Sequence, residues 1–240
     1  MNKIKKYQAL CTATYKDGLG LHGYTYANGT PVKVHVPKDT ATNGIMIVGA
    51  YPSAYFHTIG GIRDVPVADH QHPFSDESYF DGSRLREVRS GKELTEHYLE
   101  PLGISRNKCW ITDLVKVFLF KPGHVRKYEM LGYPPPAALR NRFKEYAVKS
   151  MPFLHEEIML ARPKVILLLG IEVISAVLGV SANKAGQLIK PEAVNKQFGS
   201  KELPCFALPH PGIVMRNTAG GTKWRKILKE QLAFIRKNHL

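Results

Sequence analysis

The amino-acid sequence predicts an α/β fold of three layers, α/β/α, around a central, mainly parallel four-stranded sheet, with a β-hairpin appended at the amino terminus. Three observations predict it. Four short runs are almost wholly apolar, as strands covered on both faces should be. Longer amphipathic segments separate these runs, so strands and helices alternate along the chain. Near the start, an Asn28-Gly29 pair stands between segments rich in Tyr and Val, the sequence signal of a tight hairpin turn.

The hairpin comes first in the chain, with Tyr24 and Tyr26 on one arm and Val32, Val34 and Val36 on the other. Residues 1–40 are therefore expected to form an amino-terminal extension, and residues 41–240 the main domain. The strands are Ile45–Ala50, Cys109–Val115, Val165–Leu169 and Pro204–Leu208. Between and after them lie amphipathic stretches that predict helices over Glu93–Leu102, Ala137–Ala161 and Glu172–Leu178, and a basic closing helix over Thr222–Asn238. Two stretches, Gly60–Ser90 and Lys116–Pro136, lack periodicity and exceed ordinary connector length. Such stretches serve either as binding loops on a rigid scaffold or as disordered connectors. In a parallel sheet, ligands bind beyond the carboxyl ends of the strands, so chemistry is expected in the residues that follow each run.

A chain of 240 residues suits one large domain or two small ones and buries a sizeable core. Its formal net charge of +14 and isoelectric point near 9.7 draw polyanions, nucleic acid before acidic membrane. Charge alone describes a solvated surface equally well. Cys11, Cys109 and Cys205 are scattered and form no CxxC pair, which excludes a zinc ribbon or a redox couple and suits a reducing, cytoplasmic setting. The opening lysines precede an apolar stretch interrupted by Gln8, Thr12 and Thr14, so it lacks a signal-peptide core. No other run is long and apolar enough to span a membrane.

The first strand leads into Gly49-Ala50-Tyr51-Pro52-Ser53, a sharp turn that exposes backbone N–H groups to a ligand. After the second, Thr112-Asp113-Leu114-Val115-Lys116 brings a hydrogen-bonding side chain and a cation to the same edge. Gly170 after the third permits a tight turn into the next helix. His210 after the fourth is held between Pro209 and Pro211, so its imidazole has little freedom left to lose when it is aimed at a substrate. Its bland alternative is a loop histidine with a structural hydrogen bond.

Taken in order, these signatures resemble the uracil-DNA glycosylase superfamily, and in particular its bacterial and archaeal branch with an iron–sulfur cluster. The resemblance runs over residues 42–238. It rests on Gly49–Ser53, Ser90-Gly91-Lys92-Glu93-Leu94, Trp110–Lys116, Arg162–Gly170 and His210-Pro211-Gly212-Ile213-Val214-Met215-Arg216-Asn217. It implies hydrolysis of the bond between base and deoxyribose after the nucleotide is flipped out of duplex or single-stranded DNA that carries a damaged base, by a protein that acts as a monomer. It also implies that His210 stabilises the departing base, that Gly49, Ala50, Pro52 and Ser53 line the base pocket and position water, and that Tyr51 stands where relatives hold the water-activating group. Val214 and Met215 would form an apolar wedge, with ordinary core as the alternative. Lys116, Arg216 and the Ser53 backbone would contact phosphates, with solvated charge as the alternative. Tyr55, Phe74 and Phe80 are the candidates for stacking on the base.

Three departures from the family pattern change the expectation. Tyr51 replaces aspartate, asparagine or alanine, and a phenol near its ordinary pKa is a poor general base at neutral pH. Asp113 replaces asparagine: an ionised carboxylate only accepts, so it repels uracil O4 and suits a base with an exocyclic amine, although a protonated Asp113 donates. Three scattered cysteines leave no four-thiolate ligation for an iron–sulfur centre, so no cofactor and no metal is expected. Two readings follow: an active glycosylase with an unusual base preference, or a non-catalytic module that uses the basic groove to recognise damaged or single-stranded DNA. A small-molecule nucleotide hydrolase on the same scaffold makes poor use of the positive charge.

Overall fold

The apolar runs become strands whose alternate residues face opposite ways, and that alternation creates the layers. The computed structural model describes residues 2–216 and 218–240; Met1 and Asn217, the last residue of the His210 motif, lie outside the described residues. The chain begins with helix α1 (Lys3–Leu19), then β1 (Ile45–Gly49), and then two antiparallel pairs, β2 (Ala54–Ile59) with β3 (Ile62–Asp69) and β4 (Ser78–Phe80) with β5 (Leu85–Glu87). Helix α2 (Arg89–Leu94) runs through a π-helical turn into α3 (Glu100–Leu102), followed by β6 (Cys109–Asp113), α4 (Pro122–Met130) and α5 (Phe143–Ala161). The rest comprises β7 (Val165–Leu169), α6 (Ile171–Leu178), α7 (Ala182–Gln187), β8 (Val194–Phe198), β9 (Lys201–Leu208), α8 (Pro211–Val214) and α9 (Ala219–His239).

The central sheet has the order β6-β1-β7-β9-β8. β6, β1, β7 and β9 are parallel, and β8 closes the edge antiparallel to β9. The sheet thus has five strands where four were expected. β8 reads Val-Asn-Lys-Gln-Phe, and its burial alternates with solvent exposure, so it lacks the apolar run that marks a strand covered on both faces. Met46 and Val48 of β1, Ile166 and Leu168 of β7, and Cys205 and Ala207 of β9 pack in one apolar layer with α1, α5 and α6. Ile45 and Ile47, Val165 and Leu167, and Phe206 and Leu208 pack in the other with α2, α3 and α9.

The amino-terminal segment differs from its expectation. The Asn28-Gly29 turn forms, with Gly29 at φ +79° and its N–H bonded to the Tyr26 carbonyl at 3.0 Å, but it closes only an isolated Thr25–Pro31 bridge rather than a two-stranded hairpin. Pro31 has no N–H to give a ladder, and the arm is anchored by side chains instead. Tyr24 Oη donates to the Phe118 carbonyl at 2.6 Å, and Tyr26 Oη to Asp69 at 2.9 Å. The segment is no appendage. Tyr7, Cys11, Tyr15 and Leu19 form one buried stripe of α1 at a spacing of four and belong to the same apolar cluster as β1 and β7. The two unperiodic stretches hold β3–β5 and α4; strands of three residues and half-exposed hairpins leave no long pattern to read.

One buried polar network ties these parts together. Lys116 Nζ pairs with Glu157 Oε1 at 2.6 Å, and both side chains are fully buried. The same ammonium donates to Thr112 Oγ1 at 2.9 Å and to the Asp113 carbonyl at 3.0 Å. Tyr7 Oη donates to Glu157 at 2.6 Å, and the Lys116 N–H donates to Tyr15 Oη at 2.8 Å. Removing one member of a buried pair leaves the other charge without compensation, which costs about 3–5 kcal/mol. Lys116→Ala is accordingly expected to lower the unfolding free energy by about that amount in urea denaturation; an unchanged midpoint would refute the structural role of the pair.

Candidate functional site

The turns that follow β1, β6, β7 and β9 open into a cleft of about 760 Å³, at the carboxyl edge of the sheet where a parallel topology leaves backbone groups free. Ala50–Ser53, Asp113, Leu169–Gly170 and His210 line it from the strand ends. His70, His72 and Phe74, from the segment between β3 and β4, and Phe118, Lys121, His124 and Arg140, from the segment between β6 and α5, line it as well.

His210 is the N-cap of α8, and its Nδ1 accepts the Gly212 N–H at 3.1 Å. With that lone pair used, the neutral ring carries its proton on Nε2. His210 stays exposed at the cleft surface; partial desolvation by the surrounding walls, followed by the cations Arg140, Lys121 and Arg216, holds the imidazole below its ordinary pKa, so the neutral donor form prevails at neutral pH. Gly170 adopts φ +93°, and a Cβ there would lie 3.2 Å from the His210 Cβ. The glycine therefore supplies both the left-handed turn and the room for the histidine.

Asp113 ends β6 with 2% of its surface exposed. A Cβ on Gly49 would sit 2.2 Å from Asp113 Oδ1 and 2.6 Å from the Phe74 ring, so the absent side chain is what lets carboxyl and ring meet. Phe74 itself takes φ +51°, a conformation few side-chain-bearing residues adopt. The Phe74–Ser75 backbone is pressed against α2 at Gly91, where a Cβ would meet the Ser75 carbonyl at 2.3 Å. Burial pushes the Asp113 carboxyl up to about 7, against the opposing pull of Lys116 and with a further push from Glu157.

Tyr51 lines the cleft. Its Oη accepts from Arg140 Nε at 2.8 Å, and Arg140 Nη2 donates to Glu172 Oε2 at 2.7 Å. Burial raises the phenol above its ordinary pKa although Arg140 draws it down, which makes it a hydrogen-bond donor and not a base.

The structure brings Ala50, Tyr51, Pro52, Ser53, Phe74, Asp113, His210 and Arg216 together around the cleft, with Gly49 just beneath. Other expected site residues lie elsewhere. Lys116 cannot reach a phosphate, because its ammonium is sealed in the Glu157 network. Val214 is 1% exposed and packs in the apolar layer with α9, so it is core and not a wedge; Met215 beside it is 38% exposed. Phe80 projects from β4 at 60% exposure, outside the cleft lining. Tyr55 stacks on Tyr79 at 4.4 Å and bonds Glu77. Among the three aromatic candidates, Phe74 is the one in the cleft wall.

Sequence reasoning missed His124 and Arg140. His124 repeats the His210 arrangement: Nδ1 accepts the Lys121 N–H at 3.2 Å, and burial, followed by Lys121 and Lys127, lowers the ring to about 4. Pro122 at the first position of α4 was the available signal, since proline there starts a helix. Arg140 sits in a short 3₁₀ turn inside what reads as continuous helix.

The cysteines do not fit an iron–sulfur cluster: Cys11, Cys109 and Cys205 are buried in α1, β6 and β9, and burial raises each thiol to between about 11 and about 12. Among the described residues no group of three or more His, Cys, Asp or Glu is arranged to hold a metal, and no helix is long and apolar enough to cross a membrane.

No curated protein matches the chain. A family model described as the uracil DNA glycosylase superfamily matches residues 37–233, a span that takes in all five strands of the central sheet and each cleft residue described above. With a parallel-centred sheet between two helical layers and a histidine at the strand-end cleft, the chain belongs to the uracil-DNA glycosylase superfamily.

Proposed function

We propose that the protein is a DNA glycosylase that takes a damaged or deaminated base out of the stack into the cleft and hydrolyses its N-glycosidic bond. The observation that carries this reading is the pairing of a neutral His210, its Nδ1 occupied by Gly212, with a buried Asp113 carboxyl beside Phe74 in one cleft. As the bond breaks, the sugar becomes cation-like and the base gathers negative charge. The Nε2–H of His210 donates to the base, and this fixed donor strengthens once the bound base displaces water from the exposed imidazole. The Ala50–Ser53 turn holds the water, Phe74 stacks on the base, and Arg216 and Lys121 at the rim attract phosphates.

Asp113 selects the base. Ionised, it accepts from an exocyclic amine; protonated, it donates to a carbonyl and accepts from a ring N–H, as an amide would. A carboxyl raised to about 7 samples both forms near neutrality. The non-catalytic reading draws on Tyr51, which supplies no general base. Its tether to Arg140 and its packing against Phe143, with ring centres 6.2 Å apart, favour a ring held at the wall over one that fills the cleft, which supports the catalytic reading.

Single-turnover cleavage of duplex and single-stranded oligonucleotides that carry one uracil, hypoxanthine, xanthine or cytosine-derived lesion tests the proposal. Abasic product is expected, reduced about 10²–10³-fold in His210→Ala, with Asp113→Asn shifting preference toward uracil. Absence of product on every substrate, together with tight salt-sensitive binding, would leave only the binding module.

Asp113 also marks stability. A carboxyl whose folded pKa lies above its unfolded value of about 3.9 favours the fold while protonated, and that contribution fades as pH rises through about 7. The wild type is therefore expected to lose stability relative to Asp113→Asn between pH about 4 and about 8. Parallel denaturation curves of the two proteins across that range would contradict the burial argument.

A further inference from the structure

Arg140 links parts of the cleft that the chain keeps far apart. The 3₁₀ turn Arg140–Arg142 is fixed by its backbone, since the Arg140 N–H donates to the Phe120 carbonyl at 2.8 Å and Phe120 bridges to Leu139. From that base the guanidinium forks: Nε donates to Tyr51 Oη at 2.8 Å and Nη2 to Glu172 Oε2 at 2.7 Å in the first turn of α6. A planar fork holds two acceptors in fixed directions, which a lysine cannot do.

The hydrogen count at Tyr51 follows. The phenol oxygen spends a lone pair on the Arg140 N–H and keeps its own proton. Among the described residues that proton bonds to no acceptor, and the residue lines the same cleft as His210. Donation from a guanidinium polarises the O–H and strengthens it as a donor.

We propose that Arg140 is a positioning residue: anchored by Glu172, it fixes the Tyr51 phenol as a second hydrogen-bond donor beside His210, directed at the acceptor atoms of the extruded base. The identity of the recipient rests on the glycosylase reading. Two neutral donors then converge on the charge that builds on the leaving base, and Tyr51 acts in leaving-group stabilisation in place of water activation. Arg140 has a second effect, through its field. The cations around the His210 ring are Arg140 from the turn before α5, Lys121 from the start of α4 and Arg216 beyond α8, and Arg140 is foremost among them. Glu172 is the counter-charge that moderates it.

The test combines two readouts. Side-chain NMR titration of His210 in the full-length protein is expected to move to higher pH in Arg140→Gln, which removes a cation, and to lower pH in Glu172→Gln, which removes an anion. A purely structural contact would shift both variants the same way or neither, and that result overturns the field effect. Binding is measured with oligonucleotides that carry one 2′-fluoro-2′-deoxynucleotide bearing uracil, cytosine or hypoxanthine, which resist hydrolysis. Tyr51→Phe and Arg140→Gln are each expected to weaken the best binder about tenfold, the scale of one hydrogen bond, and the double variant no more than either alone. Arg140→Lys restores the His210 titration but not the binding. Undiminished binding in Tyr51→Phe, or losses that multiply in the double variant, overturn the proposal. If the wild type shows this binding pattern yet hydrolyses none of the matching 2′-deoxy substrates, the clamp stands and the glycosylase reading falls.

Discussion

The alternation of side chains along a fully covered parallel sheet is the constraint on which the rest of this structure depends. β1, β7 and β9 send successive residues into two different helical layers, so neither face of the sheet is available for polar chemistry. Functional groups are left to the strand ends, where the ladder stops and the chain must turn. Asp113 closes β6, the Gly49–Ser53 turn leaves β1, Gly170 leaves β7 and His210 follows β9. The apolar faces thus decide where the cleft lies, and the turns decide what it contains.

Within that frame, the charged groups divide by how completely they are compensated. Lys116 and Glu157 are buried together and bonded to Tyr7 and Thr112, so their charges serve the fold. Asp113, three residues before Lys116, is buried to the same degree, but the ammonium reaches its backbone carbonyl instead of its carboxylate. Its carboxyl is left to the cleft, where desolvation outweighs the pull of the Lys116 charge. A short segment therefore holds one ionisable group committed to structure and one that lines the cleft. The histidines follow a related logic: backbone N–H groups at helix starts occupy Nδ1 of His124 and His210, which fixes the tautomer.

What the sequence disclosed followed from the range of the signal. The strands that carry the cleft were legible because burial on both faces demands an uninterrupted apolar run, as in Val165–Leu169. β8 was hidden by its solvent-facing residues. α1 was hidden because a buried stripe at a spacing of four, broken by lysines and threonines, looks like a failed signal peptide when its partner helix is unknown. His210 and Asp113 could be singled out because local turn chemistry places them. The burial of Lys116 could not be read, since it depends on Glu157 far along the chain. For the same reason the sequence left Val214 open between wedge and core, and its burial places it in the core; Arg140 went unremarked because its partners lie on two distant turns.

The position of α1 has a consequence for how the molecule comes into being. Tyr7 reaches Glu157 across 150 positions of sequence, and Tyr15 reaches Ser150 across 135. Contacts of that span close late, because the intervening chain must be ordered before they form. During synthesis from the amino terminus, α1 emerges well before α5 and waits for it with an apolar stripe uncovered, and the Lys116–Glu157 network next to Asp113 is completed only after α5 has left the ribosome. The surroundings of Asp113 are therefore completed late, although β6, which carries it, precedes α5 in the chain.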